Sequence, residues 1–177
     1  MVLRKKEVWA KMTGRTHVAA GAAVGALAGA AFGSAEAGFL AGLIAALLPD
    51  IDTPGSTIGR RVPIIPSIIS MTAGHRTITH TVYFCLLAAL GFGFLGSWLV
   101  AKTGLAAFLG FKLALPALAG ALSHLALDAC TRSGVEPLPP LGFRVSGPLA
   151  TGSLLDVFLF FLLAALAGCA LYLWRGW

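Results

Sequence analysis

Four histidines and three aspartates stand where an apolar chain has little ordinary use for them. His17 opens the first apolar run, Asp50 and Asp52 follow the second, His75 and His80 flank the start of the third, and His124 and Asp128 close the fourth. Imidazole and carboxylate together are the ligand types of zinc, and also of iron and manganese. His124 and Asp128 are four apart and share one face of a helix. Pro49-Asp50-Ile51-Asp52-Thr53-Pro54 is bracketed by prolines and is no helix interior. In an extended or turning chain its two carboxylates can point the same way. His75 and His80, five apart, would diverge by about 140° on a helix. His75 is therefore expected in the preceding loop and His80 on the first helical turn. Seven ligands exceed one tetrahedral ion. They suit two divalent ions sharing a carboxylate, with positions open to water and substrate. Any one of the seven alone reads more simply as an interfacial anchor or a helix cap. All seven at one end of a bundle favour metal.

The elements that must gather them are membrane helices. Of the 177 residues, 58% are hydrophobic and 11% charged, against about 25% charged in soluble domains. That composition excludes a soluble enzyme and a disordered chain. Gly 22 without a period of three and Cys 3 exclude collagen and disulfide scaffolds. Ile78–Val100, Leu105–Leu127 and Leu154–Trp174 each reach the roughly 20 residues a spanning helix needs. Val18–Phe32 and Ala37–Leu48 are shorter, broken at Gly33-Ser34-Ala35-Glu36, and predict a tight helical hairpin. Val62–Ala73, interrupted by Pro63 and Pro66, is too short to span and is expected to lie in the interface or re-enter. The fold class expected is all-α: a multi-pass membrane bundle of about five apolar helices. One domain covers residues 1–177, with a basic N-terminus (1–16) and site loops at 49–77 and 130–152. Gly21, Gly25, Gly29 and Gly33 form a smooth ridge suited to internal packing or to a homo-oligomer.

Orientation follows from the basic residues. Ten of them (Arg4, Lys5, Lys6, Lys11, Arg15, Arg60, Arg61, Arg76, Arg132, Arg144) fall on one side if each segment reverses direction, and Lys102 and Arg175 fall on the other. The positive-inside bias makes the His/Asp end cytoplasmic. Lys5-Lys6, an apolar run and Ala35-Glu36-Ala37 mimic a signal peptide. Its removal would delete His17, and the glycine ridge gives the segment a packing use, so the segment is expected to stay.

The remaining polar residues take plainer readings. Ser153 and Asp156 have capping-box spacing at the start of the last segment. Lys112 is expected deep in a span, snorkelling. Glu136 is a candidate acid behind the site. Arg76, Arg60 and Arg61 could clamp an anionic headgroup. Cys85, Cys130 and Cys169 read as small buried hydrophobes. No basic run interleaved with aromatics suggests nucleic acid. Gly-x-Ser-x-Gly and His-Glu-x-x-His are absent, against serine hydrolase and zinc protease chemistry.

Several of these stretches together resemble the YdjM-type membrane-bound metal-dependent hydrolases of bacteria. They are Thr16-His17, Leu48-Pro49-Asp50-Ile51-Asp52-Thr53-Pro54 with Ser56 and Gly59-Arg60-Arg61, Gly74-His75-Arg76, Thr79-His80-Thr81, Ser123-His124 with Asp128, and Thr131, Gly134 and Pro137. Thr77 departs from the family, which more often has Gly there; that touches turn geometry and not ligand identity. The resemblance implies a multi-pass protein of the bacterial inner membrane and metal-dependent hydrolysis. An early His, a later Asp and a helical His-x-x-x-Asp pair are also distantly similar to the zinc phospholipase C and P1 nuclease group, which tilts the expected chemistry toward phosphoesters.

The function expected is hydrolysis of a phosphoester in a lipid or lipid-linked substrate by metal-activated water at headgroup depth. The ligands are His17, Asp50, Asp52, His75, His80, His124 and Asp128. Asp52 is expected to bridge the ions or orient the water, and Arg76, next to His75, to clamp the anionic headgroup. Zinc is the first choice of metal, with manganese and iron also fitting. The alternative is a metal-binding membrane protein or transporter without catalysis. Transporter sites sit more often near the midplane, within internal repeats.

Overall fold

Alanine and glycine, rather than leucine, fill the interior of this protein. The computed structural model describes residues 14–56, 58–61, 78–104, 110–150 and 152–176. Their regular structure is helical: α1 (Gly14–Ala31), α2 (Ala35–Ala45), a 3-10 turn (Leu48–Asp52), α3 (Val82–Thr103), a second 3-10 turn (Phe111–Leu113), α4 (Ala114–Cys130) and α5 (Leu154–Arg175). The five expected helices are thus present, and α3, α5 and the stretch Phe111–Cys130 are long and apolar enough to cross a membrane. At 22 residues, α3 and α5 are each about 33 Å long, close to a bilayer's hydrocarbon thickness.

Burial is inverted relative to a soluble domain. The buried hydrophobic side chains are almost all alanine, while Phe94, Phe161, Leu87, Leu154 and Tyr172 lie exposed on α3 and α5. The buried polar residues include Thr16, His17, Asp52, His80, His124, Asp128 and Asp156. Large apolar residues facing outward suit lipid, and small residues inside let helices touch along their backbones. Cys85 is buried as expected, whereas Cys130 and Cys169 are exposed.

The glycine ridge is used inside the chain. α1 and α2 form an antiparallel hairpin around Gly33, whose φ of 101° a side chain would strain. Ser34 caps α2 by accepting from the Ala37 N–H at 3.1 Å. Gly42 on α2 is a close crossing shared by three helices: a Cβ there would strike the Gly21 carbonyl and come within 2.7 Å of the Gly25 Cα, and a Cβ on Gly120 of α4 would strike Gly42 itself. Three helices therefore meet at one point without side chains between them.

Connectivity gives the bundle two ends. At one lie the start of α1, the Leu48–Asp52 turn, the start of α3 and the end of α4, joined by the loop 131–150. That loop is pinned by bridges at Thr131–Leu149 and Val135–Val145 and by the Arg144 guanidinium donating to the Ser133 carbonyl. At the other end the start of α2 meets the end of α5, where Arg175 pairs with Glu36 at 3.2 Å. Lys112 stands there too, lining a small cleft with Phe32 and Ser34. This corrects the expected deep position of Lys112: Pro116 falls in the first turn of α4, so the helix starts at Ala114, and Lys112 is exposed just before it. The segment Val62–Ala73 lies outside the described residues.

Candidate metal centre

The centre is assembled from four pieces of chain. α1 supplies His17 from its first turn, and α4 supplies His124 and Asp128 from one face of its last two turns. The 3-10 turn supplies Asp50 and Asp52. Each 3-10 residue turns about 120°, so carboxylates two apart diverge and do not point together. They take opposite edges of one ring: Asp50 Oδ1 lies 3.7 Å from His80 Nε2, and Asp52 Oδ2 lies 3.9 Å from His80 Nδ1. His80 sits before α3 and not on its first turn. Thr81 is the N-cap, extended in backbone and accepting from the Phe84 N–H at 3.2 Å. The Val82 N–H bonds the Pro137 carbonyl at 2.9 Å, which fixes this turn to the loop 131–150.

Asp128 is the hub. Its Oδ1 lies 3.4 Å from His17 Nε2, and its Oδ2 lies 3.5 Å from His80 Nε2 and 3.8 Å from His124 Nε2. The rings of His17 and His124 stack with centroids 3.9 Å apart. His80 and His124 are each 1% exposed, and His17 2%.

Partners assign the ring protons. His124 Nδ1–H donates to the Ala46 carbonyl at 2.7 Å. A carbonyl only accepts, so Nε2 carries the lone pair and faces a carboxylate oxygen with no hydrogen between them. On His80, a proton on Nδ1 suits both Thr79 Oγ1 at 3.2 Å and Asp52, and Nε2 is then another lone pair facing Asp50 and Asp128. His17 Nδ1, His80 Nε2 and His124 Nε2 are all buried without a hydrogen-bond partner. Leaving one such atom unmade costs about 1–3 kcal/mol, and buried polar atoms are seldom left so. Several acceptors aimed at one another are what a cation would satisfy. Zinc bonds of about 2.0–2.1 Å in a tetrahedron separate ligand atoms by about 3.4 Å. The 3.4–3.8 Å contacts around Asp128 are within a few tenths of that. The residues fit a divalent metal.

Among the described residues, two ligand groups have their atoms within 4.8 Å of one another: His17, His124 and Asp128, and Asp50, His80 and His124. His124 belongs to both, but with Nδ1 committed to Ala46 it has one lone pair and serves one ion. Asp128 has two oxygens and can reach toward both.

The profile of the YdjM inner membrane protein family matches residues 12–177. The chain belongs to the YdjM inner membrane protein family. It is 35% identical to YvsG of Bacillus subtilis (strain 168) over 145 residues, 80% of this chain and 83% of that protein. It is 32% identical to the inner membrane proteins YdjM of Escherichia coli (strain K12) and of Shigella flexneri over 135 residues, 73% of this chain and 60% of each of theirs. No solved structure matches it.

Within this YdjM-family chain, six of the seven expected ligands fall among the described residues, and all six meet at one end of the bundle. His75 and Arg76 lie outside the described residues. Asp52, expected to bridge the ions or orient the water, stands beside His80 Nδ1, where its Oδ1 also accepts from the Thr53 hydroxyl at 3.1 Å, and Asp128 is the carboxylate that approaches three of the histidines. Arg60 and Arg61 are exposed just after Gly59, whose N–H bonds Ser56 Oγ at 2.9 Å. Glu136 is exposed on the loop. Sequence reasoning missed three supports: the Ala46 carbonyl, the Thr79 hydroxyl, and the bond from Thr16 to Asp156. Thr16 and Thr79 each adjoin a ligand histidine, and that adjacency was the only signal available.

Proposed function

We propose that this YdjM-family protein is a membrane-bound metal-dependent hydrolase that cleaves a phosphoester of a lipid or lipid-linked substrate at the cytoplasmic face of the inner membrane. The observation that carries the reading is the pair of buried, partnerless ring nitrogens, His80 Nε2 and His124 Nε2, that face Asp128 Oδ2. His17, His124 and one oxygen of Asp128 would hold one divalent ion. His80, Asp50 and the other oxygen would hold a second. Zinc suits this donor set best, with manganese and iron also compatible. The metal supplies Lewis acidity and a water whose pKa falls toward about 7.

The chain's own residues do the rest. Ala46 and Asp52 fix the tautomers of His124 and His80, as outer partners of metal-binding imidazoles do. Asp128 keeps two ligand groups at a common spacing. Arg60 and Arg61 offer exposed guanidinium groups at the same end, suited to an anionic headgroup. The centre is close to one end of the helices. His124 is six residues from the end of α4, about 9 Å along the axis. Headgroup depth favours a lipid substrate over a transported solute. Arg15, Arg60, Arg61, Arg132 and Arg144 share this end, and Lys102, Lys112 and Arg175 the other, which supports a cytoplasmic site.

The test is metal analysis of the pure protein, then assay against phospholipids and isoprenoid phosphates with and without chelator. Chelator-sensitive turnover is expected. Bound metal without turnover of any substrate, together with metal flux across sealed vesicles, would replace the hydrolase by a transporter.

A further inference from the structure

α5 contributes no ligand, and its length is mostly exposed; its buried residues are Asp156, Ala167 and Ala170. Asp156 has the spacing of a helix cap, and its N–H does donate to Ser153 Oγ at 3.3 Å. Its carboxylate, however, does more than a cap needs. Oδ2 accepts from the Gly152 N–H at 2.9 Å, and Oδ1 accepts from the Thr16 hydroxyl at 2.6 Å. Thr16 and Asp156 are both buried, and Thr16 immediately precedes His17 in the first turn of α1. A short bond donated to a carboxylate is among the stronger ties available.

We infer that Asp156 is a positioning residue for the metal centre: through Thr16 it locks the first turn of α1 so that His17 stays stacked on His124 and aimed at Asp128. By this tie α5, which carries no ligand, reaches the site. The inference rests on the metal reading above and adds to it a residue outside the ligand set.

The experiment measures zinc affinity by chelator competition on the purified, detergent-solubilised full chain, apo and reloaded. Helicity and thermal midpoint of the zinc-free form are followed alongside. Thr16→Val, which keeps shape and removes the hydroxyl, is expected to weaken zinc binding about 10–100-fold, the range seen when outer partners of metal-binding histidines are lost. Thr16→Ser, which keeps the hydroxyl, should bind within a few-fold of wild type. In a His17→Ala background Thr16→Val should cost no further affinity, because the tie acts through a ligand already gone. Should Thr16→Val not fold, Asp156→Ala, which removes the acceptor of the Thr16 hydroxyl, is read the same way. Unchanged affinity in these variants, with wild type binding zinc, would overturn the inference alone. So would an equal loss in the His17→Ala background, which would mark a general strut. A wild-type protein that binds no zinc would remove the metal reading and this inference with it.

Discussion

Truncating Asp128 should empty both ion positions, whereas truncating Asp50 should empty one. The difference comes from where the oxygens sit. Asp128 reaches His17 through Oδ1 and both His80 and His124 through Oδ2, while Asp50 lies 3.7 Å from His80 and groups with His80 and His124. Removing one partner from a buried charged set costs about 3–5 kcal/mol. At about 1.4 kcal/mol per decade, that is roughly a hundred- to several-thousand-fold in affinity at each position touched. In Asp50→Ala the group His17, His124 and Asp128 stays whole, so about one ion per chain should remain from a two-ion site. In Asp128→Ala neither position keeps its shared oxygen, and the purified protein should carry almost none. Elemental analysis of the two variants and wild type, all passed through the same chelating column, reads the difference directly. Zinc-free helicity should match wild type in both, since neither residue packs an apolar surface. Equal losses in the two variants, or full metal in Asp128→Ala, would refute the placement of Asp128 between two ions.

Three other outcomes follow from the same geometry. Asp52→Asn should weaken metal binding about 10–100-fold through the tautomer of His80, with the larger share of the loss in the ion held by His80; elemental analysis after mild chelation shows it. Gly42→Ala should lower stability by about 1–3 kcal/mol from overpacking at the α1–α2–α4 crossing, read as a depressed thermal midpoint in detergent. With Cys130 and Cys169 replaced by alanine, cysteines at Gly55 and at Lys102 should label from opposite sides of the membrane, Gly55 from the cytoplasm; labelling from one side would overturn the two-ended arrangement.

Much of this arrangement was legible in the residues. The glycine spacing in α1 announced close packing, the break at Gly33-Ser34 fell where α1 stops, and the capping-box spacing of Ser153 and Asp156 fell where α5 begins. Grouping His17, Asp50, Asp52, His80, His124 and Asp128 needed only topology, because reversing segments carry their ends to one side. What the sequence left open was rank within that group. Asp50 and Asp52 look equivalent as text; a 3-10 turn, set by local backbone geometry, sends them to opposite edges of His80. Asp156 looked sufficiently explained by Ser153 three residues away, and nothing local marks a partner 140 positions upstream. Lys112 was hidden in an unbroken apolar run, although Pro116, confined to a helix's first turn, could have dated the start of α4.

Gly21 follows His17 by one turn, and Gly120 precedes His124 by one turn. Each of these glycines abuts Gly42. The gap between two imidazoles is thus inherited from bare backbone a single turn below, and any carbon inserted there would be passed upward as a displacement of the rings. Tightness of the bundle and spacing of its donors are one variable. Engineers seeking a sturdier scaffold by trading glycine for alanine would be retuning the chemistry whether they meant to or not.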